Sequence, residues 1–220
     1  MNSSSKHLLP IAKEGWAFIV PSIALTLICL VLAWSGLAIF FALLAIACIG
    51  FFRDPERAIP QGDHLILSPA DGKITSIEEV TMEPTPGQPV QMRRVAIFLS
   101  VFNAHVQRTP VAGTVTSVKY FQGQFINAIY DKASDLNEHN MIWLQTAMGP
   151  IGVKQIAGLI ARRIVCFVKP GRQLPLGERV GLIRFGSRTD AYFPLEAELK
   201  VQVGDAVKAG LHILAEMPQK

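Results

Sequence analysis

Three short stretches bring together residue types that can do chemistry. Ser68-Pro69-Ala70-Asp71-Gly72 is a sharp turn that would hold a carboxylate at the end of a strand. Ser100-Val101-Phe102-Asn103-Ala104-His105-Val106-Gln107-Arg108-Thr109-Pro110 sends a histidine out of an apolar strand. Gly186-Ser187 places a hydroxyl directly after a residue with no side chain. A serine hydroxyl attacks poorly until a base accepts its proton, and a carboxylate commonly orients that base. Taken singly, each stretch also has a plain structural reading. Asp71 can simply form its turn, His105 can be a hydrogen-bonded core histidine, and Gly-Ser is a common turn dipeptide. Nothing in the sequence suggests a metal: His7, His64, His105, His139 and His212 are scattered, and no Cys-x-x-Cys or His-Glu-x-x-His occurs. Phosphate loops of the G-x-G-x-x-G or Walker type and a G-x-S-x-G elbow are also missing from the sequence.

These residues must be positioned by what lies between them. Candidate strands are Gly72–Val80, Val90–Ser100, Val111–Phe121, Met141–Thr146, Ile151–Ile156, Val180–Phe185, Leu199–Val203 and His212–Glu216. Gly, Pro, Asp and Asn punctuate them at short intervals, which predicts a mainly β, barrel-like or sandwich-like domain over residues 53–220. Leu159–Val168 fits either a strand or a helix. The polar Asp131–Asn140 stretch reads as a loop, with His139 a solvated loop residue. A weak repeat relates Val168–Gly177 to Val201–Gly210, 33 residues on, with glycines at matching places. The pattern resembles the half-repeats of lipoyl and biotinyl carrier domains. Such carriers present a modifiable lysine between their halves, whereas the only lysine of Gly186–Lys200 is Lys200, within a strand.

Ahead of this domain, Gly15 to Phe52 contains no Asp, Glu, Lys or Arg. A bilayer core takes about 20 helical residues, so so long a run predicts two membrane helices, about 16–33 and 37–52, folded as a hairpin around Trp34-Ser35-Gly36. Trp16 and Trp34 suit interfacial positions, and Lys6, Lys13, Arg53 and Arg57 flank the pair. By the positive-inside rule both flanks are cytoplasmic. The run is not expected to be a cleaved signal, since a second apolar segment follows the first directly. Arg53-Asp54-Pro55-Glu56-Arg57 ends it with charge and a helix breaker. With 50% hydrophobic and 17% charged residues the chain is neither disordered nor an ordinary soluble enzyme. Three cysteines, two of them in the apolar run, predict free thiols rather than a disulfide framework. The net charge of +4 suits an anionic membrane surface better than nucleic acid once the apolar run is considered.

Taken in order, Phe51-Phe52-Arg53-Asp54-Pro55-Glu56-Arg57, Pro69-Ala70-Asp71-Gly72, Phe102-Asn103-x-His105 and Arg184-Phe185-Gly186-Ser187-Arg188 resemble the phosphatidylserine decarboxylases of the short bacterial and archaeal type. Longer members carry His-x-x-His where this chain has His105 and Arg108. The resemblance implies a lyase that converts phosphatidylserine to phosphatidylethanolamine in phospholipid biosynthesis. It also implies a zymogen cut autocatalytically between Gly186 and Ser187, giving a β chain (1–186) and an α chain (187–220) that stay together as a heterodimer. Ser187 becomes a pyruvoyl group, the covalent cofactor, which forms a Schiff base with the substrate amine; no metal is needed. His105 and Asp71 are the implied base and its orienting carboxylate, while Arg188, Arg108 and Asn103 are candidate substrate contacts. Its expected place is the inner membrane, with the catalytic domain cytoplasmic and homo-oligomers possible. The rival expectation is a membrane-tethered lipoyl-like adaptor or carrier subunit without catalysis. A pyruvoyl decarboxylase of a soluble amino acid fits the apolar hairpin poorly.

Overall fold

The computed structural model describes residues 10–128, 133–159, 163–184 and 187–218. Lys6, His7, Arg162, Phe185 and Gly186 lie outside them. The chain divides into two compact units, Met1–Glu56 and Arg57–Lys220.

In the first unit a single 3-10 turn, Lys13–Gly15, leads into α1 (Trp16–Val31), followed by α2 (Ser35–Phe51). The corner falls earlier than the sequence suggests: Ser35 and Gly36 open α2, and Ala33 turns the chain with φ 56. The residues buried between the helices include small ones, Ser22, Cys29, Ala38, Ala45 and Cys48, whereas Val31, Ile39, Phe40, Leu43 and Ile46 stay exposed. Small residues inward and large apolar ones outward is how helices pack in hydrocarbon, where Leu gains nothing by leaving the lipid. The polar side chains are satisfied internally, Ser22 Oγ donating to the Phe18 carbonyl and Thr26 Oγ1 to that of Ser22, both at 2.8 Å. Lys13–Val31 spans 19 residues and is long and apolar enough to cross a membrane; α2 is shorter. Backbone bonds from Ala12 N–H to the Phe52 carbonyl (2.8 Å) and from Asp54 N–H to that of Pro10 (2.7 Å) close the base of the hairpin.

The second unit is built from short antiparallel strands: β1 (Leu65–Leu67), β2 (Gly72–Thr85), β3 (Gln88–Leu99), β4 (Val106–Arg108), β5 (Gly113–Phe121), one helical turn α3 (Ala133–Leu136), β6 (His139–Thr146), β7 (Gly149–Ala157), β8 (Ile164–Cys166), β9 (Gln173–Leu174), β10 (Arg179–Ile183), β11 (Ser187–Pro194), β12 (Glu198–Leu199), β13 (Ala206–Val207) and β14 (Ile213–Glu216). Eight of them form a curled, half-barrel sheet in the order β13-β2-β3-β11-β7-β6-β5-β9. Two three-stranded sheets, β1-β14-β12 and β4-β10-β8, complete the unit.

A short turn-and-strand motif occurs twice in this unit with matching hydrogen bonds. Ser68-Pro69-x-x-Gly72-x-Ile74-Thr75-Ser76 recurs 41 residues later as Thr109-Pro110-x-x-Gly113-x-Val115-Thr116-Ser117. Ser68 Oγ donates to the Ala70 carbonyl (2.8 Å) and Thr109 Oγ1 to that of Val111 (2.7 Å). The halves also exchange a bond, Leu67 N–H to the Pro110 carbonyl and Arg108 N–H to that of Pro69, both 2.9 Å. Ile74 N–H donates to Asp205 and Val115 N–H to Arg172, which stand at matching places in the 33-residue repeat. All four repeat glycines, Gly171, Gly177, Gly204 and Gly210, have positive φ, where a side chain would strain the turn. Two buried clusters back these strands, one around Ile74, Val207 and Leu214, which also takes in Val111, and the other around Val115, Leu174 and Val180.

Two expectations require correction. The Asp131–Asn140 stretch is not simply a loop: within its described part, α3 precedes β6, which begins at His139. His139 is half-buried and stacks on Phe121, with ring centroids 4.7 Å apart. The longest strand absent from the sequence reading is β11. It pairs with β3 from Ser187↔Leu99 to Pro194↔Met92 and with β7 from Ser187↔Ala157 to Tyr192↔Gly152. Its alternation is hidden because one face carries Arg188 and Asp190, which look exposed in sequence but are wholly buried.

Candidate active site

Ser187 opens β11 and is held on both sides by strands, so its position is fixed by backbone pairing rather than by its side chain. It is fully buried, and its Oγ has no hydrogen-bond partner among the described residues. A buried hydroxyl left unbonded carries a desolvation cost, and such groups in native folds call for a functional reason. Thr189, two residues along and on the same face, shares this state.

His105 is also fully buried, in the segment leading into β4. Its Nδ1 lies 2.9 Å from the Asn103 carbonyl. A carbonyl can only accept, so Nδ1 carries a proton; in the neutral ring the lone pair then falls on Nε2, as a general base requires. Asn103 is held in turn: its Oδ1 accepts from Ser100 N–H (2.9 Å) and Ser100 Oγ (2.8 Å). Its side chain is thus committed to the turn and its carbonyl to the imidazole. The His105 carbonyl accepts from Gln107 Nε2 at 2.8 Å.

Asp71 is buried at the mouth of β2, with Oδ2 on Arg57 Nη2 and Oδ1 on Ala209 N–H, both at 2.8 Å. The Asn103 carbonyl is thus one partner of the His105 ring, and Asp71 ties the Ser68–Gly72 turn to Arg57 and to the Ala209 backbone. Arg57, placed by the sequence among the flanking charges of the membrane hairpin, is the partner that reading missed. Arg108 is buried and donates from Nη1 to the Gly177 carbonyl at 2.9 Å. Arg188 grips Asp190 with Nε and Nη2 at 2.6 and 3.2 Å, both residues wholly buried. Asp190 Oδ2 also accepts from Ser134 Oγ at 2.9 Å, and Lys154 Nζ lies 3.5 Å from Asp135. Burial pushes the Lys154 ammonium below its ordinary range, and Asp190 and Asp135 pull it back. The arginines put forward as substrate contacts are thus occupied within the protein in this state.

Beside the Leu99 partner of Ser187 lies a cavity of about 270 Å³, lined by Phe98, Leu99, Ser100, Val101, Asn127, Ala128 and Leu159. Its rim exposes Val101 and Leu159, and the neighbouring Phe102 is 83% exposed. Among the described residues no group of three or more His, Cys, Asp or Glu could hold a metal ion.

A family model described as phosphatidylserine decarboxylase matches residues 44–215. The phosphatidylserine decarboxylase proenzyme of Burkholderia ambifaria is 46% identical over 210 residues, covering 95% of this chain and 97% of the relative. That of Magnetococcus marinus is 44% identical over 215 residues, covering 96% of each.

Proposed function

From the premise that this chain belongs to the phosphatidylserine decarboxylase family, we propose that it cuts itself between Gly186 and Ser187 and then decarboxylates phosphatidylserine to phosphatidylethanolamine. The observation that carries the reading is the unbonded, buried hydroxyl of Ser187 at the head of a central strand. The relatives' designation as proenzymes agrees with a chain that matures by cleavage.

Maturation follows from the residues in place. Ser187 Oγ gives its proton to a base and attacks the Gly186 carbonyl carbon; the C–N bond breaks, and an ester joins Gly186 to Oγ. Removal of the Ser187 α-proton then expels the ester oxygen, leaving a carboxylate on Gly186. The dehydrated residue 187 takes up water, loses ammonia and ends as a pyruvoyl group. His105 is the base, its Nε2 lone pair set by the Nδ1–H bond to Asn103. Gly186 leaves its carbonyl open to attack because it has no Cβ.

A pyruvoyl group supplies the electron sink that side chains lack when carbon dioxide leaves an amino acid. Residue 187 fits such a group: no described hydrogen bond would be lost on converting its hydroxyl, and the backbone on both flanks fixes it. His105, whose unperturbed pKa lies near neutrality, returns a proton to the substrate carbon. The apolar cavity and its exposed rim receive the lipid beside residue 187. Asp71 acts through the turn that it shares with Arg57, and the second half of the duplicated motif, where Ala112 stands in its place, folds without a carboxylate. The apolar hairpin anchors the enzyme in the inner membrane, with Lys13 and Arg53 on the cytoplasmic side. The α and β chains remain one particle.

Intact mass spectrometry of the purified full chain tests this. Two pieces, 1–186 and 187–220 with a blocked first residue, are expected from the wild type and a single uncut chain from Ser187→Ala. An uncut wild type, or a cut Ser187→Ala, contradicts the mechanism. Carbon dioxide release from phosphatidylserine in mixed micelles should greatly exceed that from free serine.

A further inference from the structure

The two halves of the motif differ where a row of amides crosses one of them. Asn140 Nδ2 donates to Gln155 Oε1 at 3.0 Å, Gln155 Nε2 to Gln107 Oε1 at 2.9 Å, and Gln107 Nε2 to the His105 carbonyl at 2.8 Å. Asn140, Gln155 and Gln107 are 3%, 0% and 0% exposed. Every rung points the same way, each amide giving its N–H to the next oxygen, so the row begins on β6, crosses β7 and ends on the backbone of His105. Asn137 and Ala157 anchor the same region, Asn137 Nδ2 donating to the Ala157 carbonyl at 2.7 Å.

The fold itself does not require this row. The place of Gln107 in the first half of the motif is taken by Ile66, which is fully buried and apolar, and that half folds around it. Retaining three buried amides where hydrocarbon would serve is costly unless their direction matters. The fold also makes room for them: on Gly181, the register partner of Gln107, a Cβ would collide with Gln155 Nε2 and lie 2.5 Å from the Val165 carbonyl. Gln155 is in turn the register partner of Thr189, two residues from Ser187. One row thus ties the His105 backbone to the strand that pairs with the nucleophile's own strand.

We propose that Gln107, Gln155 and Asn140 are positioning residues that set His105 relative to Ser187. The proposal rests on the self-cleaving reading above. With the His105 carbonyl held by Gln107 and its ring held by the Asn103 carbonyl, the imidazole cannot swing from the orientation that directs Nε2.

The test uses the full chain and two readouts: the rate of self-cleavage after synthesis, and the ¹⁵N spectrum of histidine-labelled protein in the uncut Ser187→Ala background. Gln107→Met keeps the volume and removes the donor. It should slow cleavage at least tenfold and lose the wild type's Nδ1–H pattern for His105, with far-UV circular dichroism unchanged. Gln155→Met should do the same to a lesser degree and Asn140→Ser least, the effect fading with distance along the row. Should Gln107→Met fail to fold, Gln155→Met reads the same row one rung away. Wild-type cleavage and an unchanged His105 signal in the folded Met variants would overturn the positioning role while leaving the enzyme reading intact. A wild type that never divides would overturn the premise and the proposal together.

Discussion

His139 shows how one side chain links structure to pH. Burial holds its imidazole below the usual pKa of 6.5; the hydrogen bond that the ring donates to the Asn137 carbonyl opposes this, and Lys154 adds to it. With a lowered folded-state pKa, the unfolded chain binds the proton more readily as the pH falls through 6.5, so stability is lost on acidification and is unaffected well above that value. Thermal melts from pH 7.5 down to 5 should therefore show a fall in Tm that His139→Gln partly removes. Parallel Tm curves for the two proteins would show that the ring titrates as though solvated. The same scale separates what the sequence disclosed from what it hid. Ser187 and His105 stood out because their types are chemically loaded, whereas Gln107, Gln155 and Asn140 are ordinary strand amides whose burial no local pattern announces. The burial of Arg188 and Arg108, with the carboxylate of Asp190 and the carbonyl of Gly177 among their partners, was not announced by the sequence, because a buried arginine and an exposed one have the same letter.

At the scale of elements, the strands read correctly were those rich in β-branched residues and bounded by turn residues, such as β2, β3 and β5. β11 was lost because both of its faces are buried, one in the apolar core through Ala191 and Phe193 and the other in ion pairs. The two apolar helices were legible because an uninterrupted apolar run needs no partner to interpret it, although the corner shifted by two residues. The recurrence was half visible: the glycines of the later repeat are regularly spaced, whereas the likeness of Ser68–Ser76 to Thr109–Ser117 is confined to a few short matches and is plainest in their hydrogen bonds. Gly72 and Gly113 are the counterparts that begin β2 and β5, and each lets a neighbouring strand pass close by. A Cβ on Gly113 would lie 2.7 Å from the Gln145 carbonyl oxygen and 2.9 Å from Thr146 Cγ2. Gly113→Ala must therefore part β5 from β6, at a cost of roughly 1–3 kcal/mol by analogy with overpacked cores. The denaturant midpoint of the Gly113→Ala, Ser187→Ala double variant, set against Ser187→Ala alone, measures that cost. An unchanged midpoint would mean that the hairpin yields without strain.

For the whole molecule, the proposed cut after residue 186 would fall in an unusual place, immediately before a strand flanked on both sides. The piece 187–220 contributes β11 to the middle of the eight-stranded sheet, β13 to its edge, and β12 and β14 to a three-stranded sheet with β1. Only β4-β10-β8 is built wholly from the longer piece. Conversion of residue 187 would remove its own backbone N–H but leave the pairing of residues 188–194 in place, and the buried Arg188–Asp190 pair, tied to Ser134, pins the new terminus within two residues of its end. The cut molecule should therefore stay together in native gel filtration, with the short piece released only by denaturant. Refolding is another matter. In the uncut chain β11 returns to its slot as an intramolecular event, whereas the cut chain must bring two molecules together and leave the sheet open until they meet. Uncut Ser187→Ala should regain its native circular dichroism on dilution from urea at any protein concentration. The cut wild type should recover poorly at micromolar concentration, and better as an excess of a synthetic 187–220 peptide is added. Equal recovery of the two proteins would show that the longer piece holds its fold without the central strand, which the register of β3 and β7 on either side of β11 argues against.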